Sequence, residues 1–357
     1  MALFLQILGI LFLVLVLVVV GGFFLLRSKF RKAMSELVAQ AEEMKYGITP
    51  TRIHLRRRDA VAWQNPEAAE SYSSALLALG FEDAGSYDIE ELDFVRLRGF
   101  AHPGESVYAA VYEHEKAGTW FDLVSFYQDG TSATYSNAPR LAQGMDQRPG
   151  HSKTFDNGAD LQTLFQRMLA ERPGGALSPA TTSGFANALE RAYADHMDWR
   201  HARGPSEDEI RFVAAEMGEE PSDEQLAEVR EQLELQSLAG LDESLRERFL
   251  EQSSLSAAEW EAVRERVVIV HDRLKPEMLA ERYTEWVNMC GEYAEEEDER
   301  EEQDDPEYQK ALAAARVSEP RAAFAALNEQ LPEEKRFRLL GTVTYPLPAA
   351  VYVAPEG

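Results

Sequence analysis

The chain has 357 residues, with 62 acidic against 36 basic side chains, a formal net charge of −26 and a pI near 4.7. This balance opposes binding to nucleic acid, whose phosphates reward Lys and Arg, so charged partners should be basic. Cys290 is the single cysteine, which rules out an intramolecular disulfide and a multi-cysteine zinc pattern and reads as a small buried hydrophobe.

Ala2 to Leu26 is almost unbroken Leu, Val, Ile, Phe and Gly, interrupted by Gln6. At about 1.5 Å of helix rise per residue it exceeds the roughly 30 Å of a bilayer's hydrocarbon core. Residues 1–26 therefore read as a transmembrane anchor. A cleaved signal peptide would need a basic start, a shorter core and a small-residue cleavage site, and none of these is present. Arg27, Lys29, Arg31 and Lys32 follow the span, which predicts an external N-terminus, a cytoplasmic body and contact of these four residues with the lipid surface.

Residues 27–50 read as a basic juxtamembrane helix, with Phe30, Ala33, Met34, Leu37, Val38 and Ala41 at helical spacing and Gly47 and Pro50 ending it. From Arg27 to Arg58 nine Lys or Arg face three Glu, so the positive charge of an acidic chain is concentrated next to the anchor.

Residues 51–172 read as an α+β antiparallel sheet domain. Asn65-Pro66 starts a helix with the stripe Tyr72, Ala75, Leu76 and Leu79, and Gly80 stops it. Strands are expected at Tyr87 to Ile89, Leu92 to Phe100, Ser106 to Glu113, Trp120 to Tyr127 and Ser132 to Ser136. Ala117-Gly118 and Asp129-Gly130 read as two-residue hairpin turns.

Those turns set a register, because side chains alternate faces with period two. One face then collects Val107, Ala109, Val111, Val124, Phe126, Ala133 and Tyr135 as core. The opposite face collects Tyr108, Tyr112, His114, Phe121, Leu123 and Tyr127. Either a third layer covers that aromatic face, or it is an exposed platform on which Tyr108, Tyr112, His114, Phe121 and Tyr127 bind a peptide, lipid or ring-bearing ligand.

Asn137 to Asn157 is long and irregular. Arg140, Arg148, His151 and Lys153 in it suit an anionic group, and Asp146 and Asp156 suit a cation, but no phosphate-loop or metal spacing is present. A helix follows, with Leu161, Leu164, Phe165, Met168 and Leu169 as its stripe. Residues 173–182, rich in Pro and Gly, read as a linker.

Residues 183–335 read as an acidic helical region. Ser206 with Glu209, Ser222 with Gln225 and Ser256 with Glu259 have capping-box spacing. Asp195, His196, Asp198 and His201 invite a metal reading, but His196 and His201 lie about 140° apart around a helix. A helix through Trp260, Val263, Val267 and Val270 is expected to end at His271-Asp272. Gly291 to Glu307 carries eleven acids against Arg300 and reads as a solvated run.

Residues 336–357 read as C-terminal strands expected to join the first sheet. The fold class is thus α+β: one N-terminal transmembrane helix, an antiparallel sheet domain with flanking helices, and a mostly α-helical region ending in one or two strands. No motif implies a cofactor, a metal or a nucleophile. The favoured function is a membrane-anchored, cytosol-facing binding or scaffold protein that meets the lipid bilayer and a protein partner, basic if charge drives the pairing. The alternative is a membrane-tethered enzyme whose site forms only in three dimensions around the 137–157 loop and the sheet, with His114 and His151 as contributors.

Overall fold

The computed structural model describes residues 50–355 except 93, 116, 140–146, 217–220 and 290–304. The expected anchor, its basic flank with Arg27, Lys29, Arg31 and Lys32, and most of the acidic run lie outside the described residues. Among the described residues no helix is long and apolar enough to cross a membrane.

The fold is α+β. A seven-stranded sheet runs in chain order, β1 (Leu55–Arg58), β2 (Glu82–Ile89), β3 (Val95–His102), β4 (Val107–His114), β5 (Gly118–Phe126), β6 (Ser132–Ser136) and β7 (His151–Phe155). Every neighbouring pair is antiparallel except β6 and β7. A parallel pair needs a crossover of a dozen residues or more, which accounts for the long segment after Ser136. The sheet is therefore mixed, and β7 is a strand inside what the sequence presents as loop.

Helices α1 (Pro66–Ala78) and α2 (Leu161–Glu171) cover one face of this sheet. Asn65 caps α1 through Ala68 N, and Asp160 caps α2 through Thr163 N at 2.8 Å. Leu76, Leu164, Phe165 and Met168 pack there against Phe100, Val107, Ala109, Val111, Phe121 and Leu123. The other face, with Leu97, Ala101, Tyr108 and Ala110, is covered by α3 (Phe185–Arg203) through Phe185, Ala186, Leu189 and Tyr193. The sheet is the middle of three layers.

The face assignment of β5 is corrected. Phe121 and Leu123 point to α1 and α2, whereas Val124 and Phe126 belong to the opposite face; Phe126 packs in the α3 cluster. The cause is turn length. His114 pairs with Gly118 across three intervening residues, and Tyr127 bonds Thr131 around Gln128-Asp129-Gly130. Gly118 and Gly130 both take positive φ, +80° and +86°. Relative to two-residue turns, each hairpin moves the pairing by an odd number of residues. The two shifts cancel for β6 and leave β5 alone inverted.

Residues 173–182 are tied to the sheet: Gln128 N donates to Ala176 O at 2.9 Å and Ser178 N to Phe126 O at 2.8 Å. Beyond α3 come α4 (Glu207–Glu216), α5 (Asp223–Gln252) and α6 (Ala257–Val263). Ser222 and Ser256 form complete capping boxes, and Ser206 accepts from Glu209 N at 3.3 Å.

A second correction concerns Val267–His271, which is strand β8 and not the end of a helix. It forms a three-stranded sheet, in the order β8, β10 (Ala349–Val353), β9 (Arg338–Val343), so the C-terminal strands build their own sheet instead of joining the first. One face of this sheet packs on α5 through Leu238, Leu241, Leu245 and Phe249. The other packs on α7 (Pro276–Met289), α8 (Pro306–Val317) and α9 (Pro320–Gln330) around Tyr283, Phe324 and Phe337. Cover on both faces explains why β8 and β10 are buried at every position and lack apolar–polar alternation. His271 closes β8 fully buried, its Nε2 3.1 Å from Asp242 Oδ1, and Arg282 also bonds Asp242.

Residues from Thr51 onward make one compact unit. Its two sheets are joined by α3, by the pairs that Arg52 and Arg248 make with Asp198, and by Tyr345 donating to Asp195 O at 2.8 Å.

Candidate functional site

The polar part of the sheet face under α3 is built by β5, β6 and β7. With the observed register, Asp122 lies beside Ser136, and Val124, Thr134 and Lys153 form the next row. Ser132 and His151 form the row after that. Ser136 Oγ donates to Asp122 Oδ1 at 2.5 Å, and Ser132 Oγ shares a hydrogen bond of 2.8 Å with His151 Nδ1. Helix α3 supplies the roof, where Asp195 acts electrostatically on His151, and His196 feels both Lys153 and His151.

Electrostatics sets these residues apart. Asp122 is half-buried, so solvent still reaches it, yet the surrounding protein pushes its carboxyl up to about 6; Ser136 and Lys153 pull the other way without winning. Lys153 is lowered, first by burial, and Asp122 opposes that shift. His151 is held down to about 4 by burial and then by Arg148, and His196 down to about 4 by burial and then by Lys153 and Arg200. Burial raises Tyr112, and Asp122 adds to it. Two imidazoles held neutral, a lysine and a carboxyl raised to about 6 therefore share one part of the sheet face. Titratable groups with perturbed pKa values gather in this way at functional sites, although structural networks also produce it.

The expected aromatic platform divides between the two faces of the sheet. Tyr108 and Tyr112 lie on the α3 side, Tyr112 stacked on Trp120 at 5.2 Å. Phe121 and Tyr127 lie on the α1 and α2 side, Phe121 fully buried. His114 ends β4, accepts from Ala117 N at 3.2 Å and meets Phe94 edge-on. By contrast, Arg148, His151 and Lys153 of the long segment are brought together, and Arg148 reaches Tyr345 OH at 3.4 Å. Asp122 and His196 join them unannounced by any motif. A charged residue in the middle of an otherwise uncharged strand was the available signal for Asp122, since Asp is depleted in strands.

The Asp195 to His201 stretch is occupied by protein partners. Asp198, 0 % exposed, is bonded by Arg52 Nη1 at 2.8 Å and Arg248 Nε at 3.0 Å, and the His201 ring rests on Gly240 of α5. Among the described residues no group of three His, Cys, Asp or Glu is placed to hold a metal.

His196 makes stability pH-dependent. Its folded pKa of about 4 lies below the ordinary 6.5, so the neutral ring's contribution is present above 6.5 and lost as pH falls through 4. The full span corresponds to about 3 kcal/mol, of which solvent access leaves about 1–2 kcal/mol. Urea midpoints at pH 7.5 and pH 4.5 should therefore converge in His196→Gln relative to the parent; equal pH slopes in both proteins would show that the ring is already well solvated.

No protein-family model, curated protein or solved structure matches the chain.

Proposed function

We propose that this is a single-pass membrane protein, its body on the cytoplasmic side, that binds a small polar ligand in the cleft between α3 and strands β5 to β7. The anchor and sidedness rest on the apolar run Ala2 to Leu26 and on the cations Arg27, Lys29, Arg31 and Lys32 after it. The observation that carries the binding reading is Asp122: a desolvated carboxyl, still reached by solvent, facing Lys153. A ligand with one acceptor and one donor would meet Lys153 and Asp122 and satisfy both. The net charge of −26 supports a basic protein as any further, charge-driven partner, and weighs against nucleic acid. A second reading, acid–base catalysis in the same cleft, is favoured by one feature: a carboxyl poised at about 6 exchanges protons readily near neutral pH.

Asp122→Asn tests both the cleft and its electrostatics. Asp122 is raised in the folded state, so its stabilising, protonated form is present below the ordinary 3.8 and lost as pH rises through 6. The variant should gain about 1–2 kcal/mol at pH 8 and nothing at pH 4. Thermal-shift screening of the full-length protein in detergent against polar metabolites should then find ligands that stabilise the parent and not Asp122→Asn or Lys153→Met. If every stabilising compound acts equally on all three proteins, the cleft is not the binding site.

A further inference from the structure

A cavity of about 500 Å³ opens beside the start of β8, between α5, α6 and α7. Two half-buried indoles stand in its wall, Trp260 from α6 and Trp286 from α7. Trp286 packs against the core on the α7 side of the second sheet and Trp260 against the core on the α5 side. The cavity therefore lies at the β8 edge of that sheet, where its two faces come together. Leu250 and Val267 add apolar surface.

Charge in the cavity is mixed, and its pairing is uneven. Three carboxylates, Glu243, Glu247 and Glu265, face two guanidiniums, Arg246 and Arg264. Arg264 pairs with Glu265 at 3.1 Å and with Glu261 at the same distance. Arg246 pairs with Glu243 at 3.7 Å, donates to Arg264 O at 2.9 Å and stands 5.7 Å from the centre of the Trp260 ring. Each arginine is thus matched by an acid, and one of the two indoles already holds a cation on its face. Trp286 and Glu247 repeat the indole and carboxylate without the cation. Among the described residues no guanidinium or ammonium lies over Trp286, and no ion pair reaches Glu247. The Glu247 carboxyl is raised, first by burial and then by Glu243 one turn away; Arg52, which opposes this from a distance, is itself bonded to Asp198 and Glu251.

A metal ion needs several oxygens converging on one point, and among the described residues no three acids or histidines do so. An anion would meet arginines that acids already match. Walls that are part indole and part carboxylate suit a weakly hydrated organic cation, which the ring face attracts and the carboxylate neutralises. We propose that the Trp286 and Glu247 side of this cavity binds an organic monocation, an alkylammonium or guanidinium group whose apolar stem lies along Leu250 and Val267. It is a second site, separate from the cleft under α3. A free amine and a basic side chain presented by a protein partner carry this same group.

The test is calorimetric titration of the full-length protein in detergent, at fixed ionic strength, with four probes: butylammonium, butylguanidinium, the neutral butylurea, and a blocked tripeptide with arginine between two glycines. The parent should bind the cations roughly tenfold more tightly than butylurea, and Glu247→Gln should bind them about tenfold more weakly than the parent. Trp286→Phe should bind them about threefold more weakly, because a phenyl face attracts cations less than an indole does. Without probe, Glu247→Gln should unfold no lower than the parent, since burial already opposes the charge it removes, so weaker binding is not a loss of folding. Asp122→Asn should bind like the parent. Butylguanidinium binding at least as tightly as the tripeptide assigns the site to free cations; preference for the tripeptide, lost in Glu247→Gln, assigns it to a side chain of a protein partner. Equal binding of butylurea, cation binding that Glu247→Gln leaves unchanged, binding lost in Asp122→Asn, or binding of none of the cations overturns the proposal.

Discussion

Asp198→Ala should cost about 3–5 kcal/mol of stability, the range for removing one partner of a buried charge pair. The carboxylate is 0 % exposed, and the side chains of Arg52 and Arg248 are 12 % and 13 % exposed. Removal strands two guanidiniums in a setting where each would keep only weaker partners, Glu251 for both and Asp195 for Arg248. The loss is one of satisfaction, not of attraction. Replacing the whole set, Asp198→Leu with Arg52→Met and Arg248→Met, should therefore recover most of the stability, since matched apolar groups often equal a buried ion network. Urea unfolding of the parent, the single variant and the triple variant checks this; a single-variant loss below about 1 kcal/mol would mean that water reaches the network.

Phe185→Ala should be comparably severe, about 3–5 kcal/mol, because a buried ring leaves a cavity that the sheet cannot fill. The ring is 2 % exposed, stacked on Tyr87 at 5.7 Å and edge-on to Tyr108 at 5.9 Å. It also sits directly on Gly99, where a Cβ would overlap its atoms. Gly99→Ala alone should thus cost about 1–3 kcal/mol through overpacking. In the double variant the methyl enters the space the ring has left, so the two losses should fall short of their sum. Additive losses would show that the ring already stands clear of Gly99 in solution.

The sequence revealed elements better than registers. Helix starts were readable wherever a side chain satisfies exposed donors, as at Asn65, Ser222 and Ser256, because capping chemistry is local. β5 was misread because one face depends on the residue count of a turn, and Ala117-Gly118 resembles a two-residue hairpin while three residues separate the paired positions. β8 was misread because Val267 to Val270 lies buried on both faces, and a strand of that kind carries no alternation to distinguish it from a buried helix turn. The candidate cleft was half visible. Arg148, His151 and Lys153 stood out as cations in a long segment, but their meeting with Asp122 and His196 needs the parallel pairing of β7 and the roof of α3, and both are long-range facts.

Helix α3 lays Phe185 and Leu189 on one sheet and, within five turns, sets Asp198 and His201 against α5, which backs the other. A crossover between genes anywhere inside residues 185–203 would separate two half-keys from their locks at once. The sheet would lose its third layer and α5 its ion network, although each parental half kept every residue of its own. Related proteins should therefore exchange surface loops freely but inherit Thr51 to Pro355 as an indivisible block.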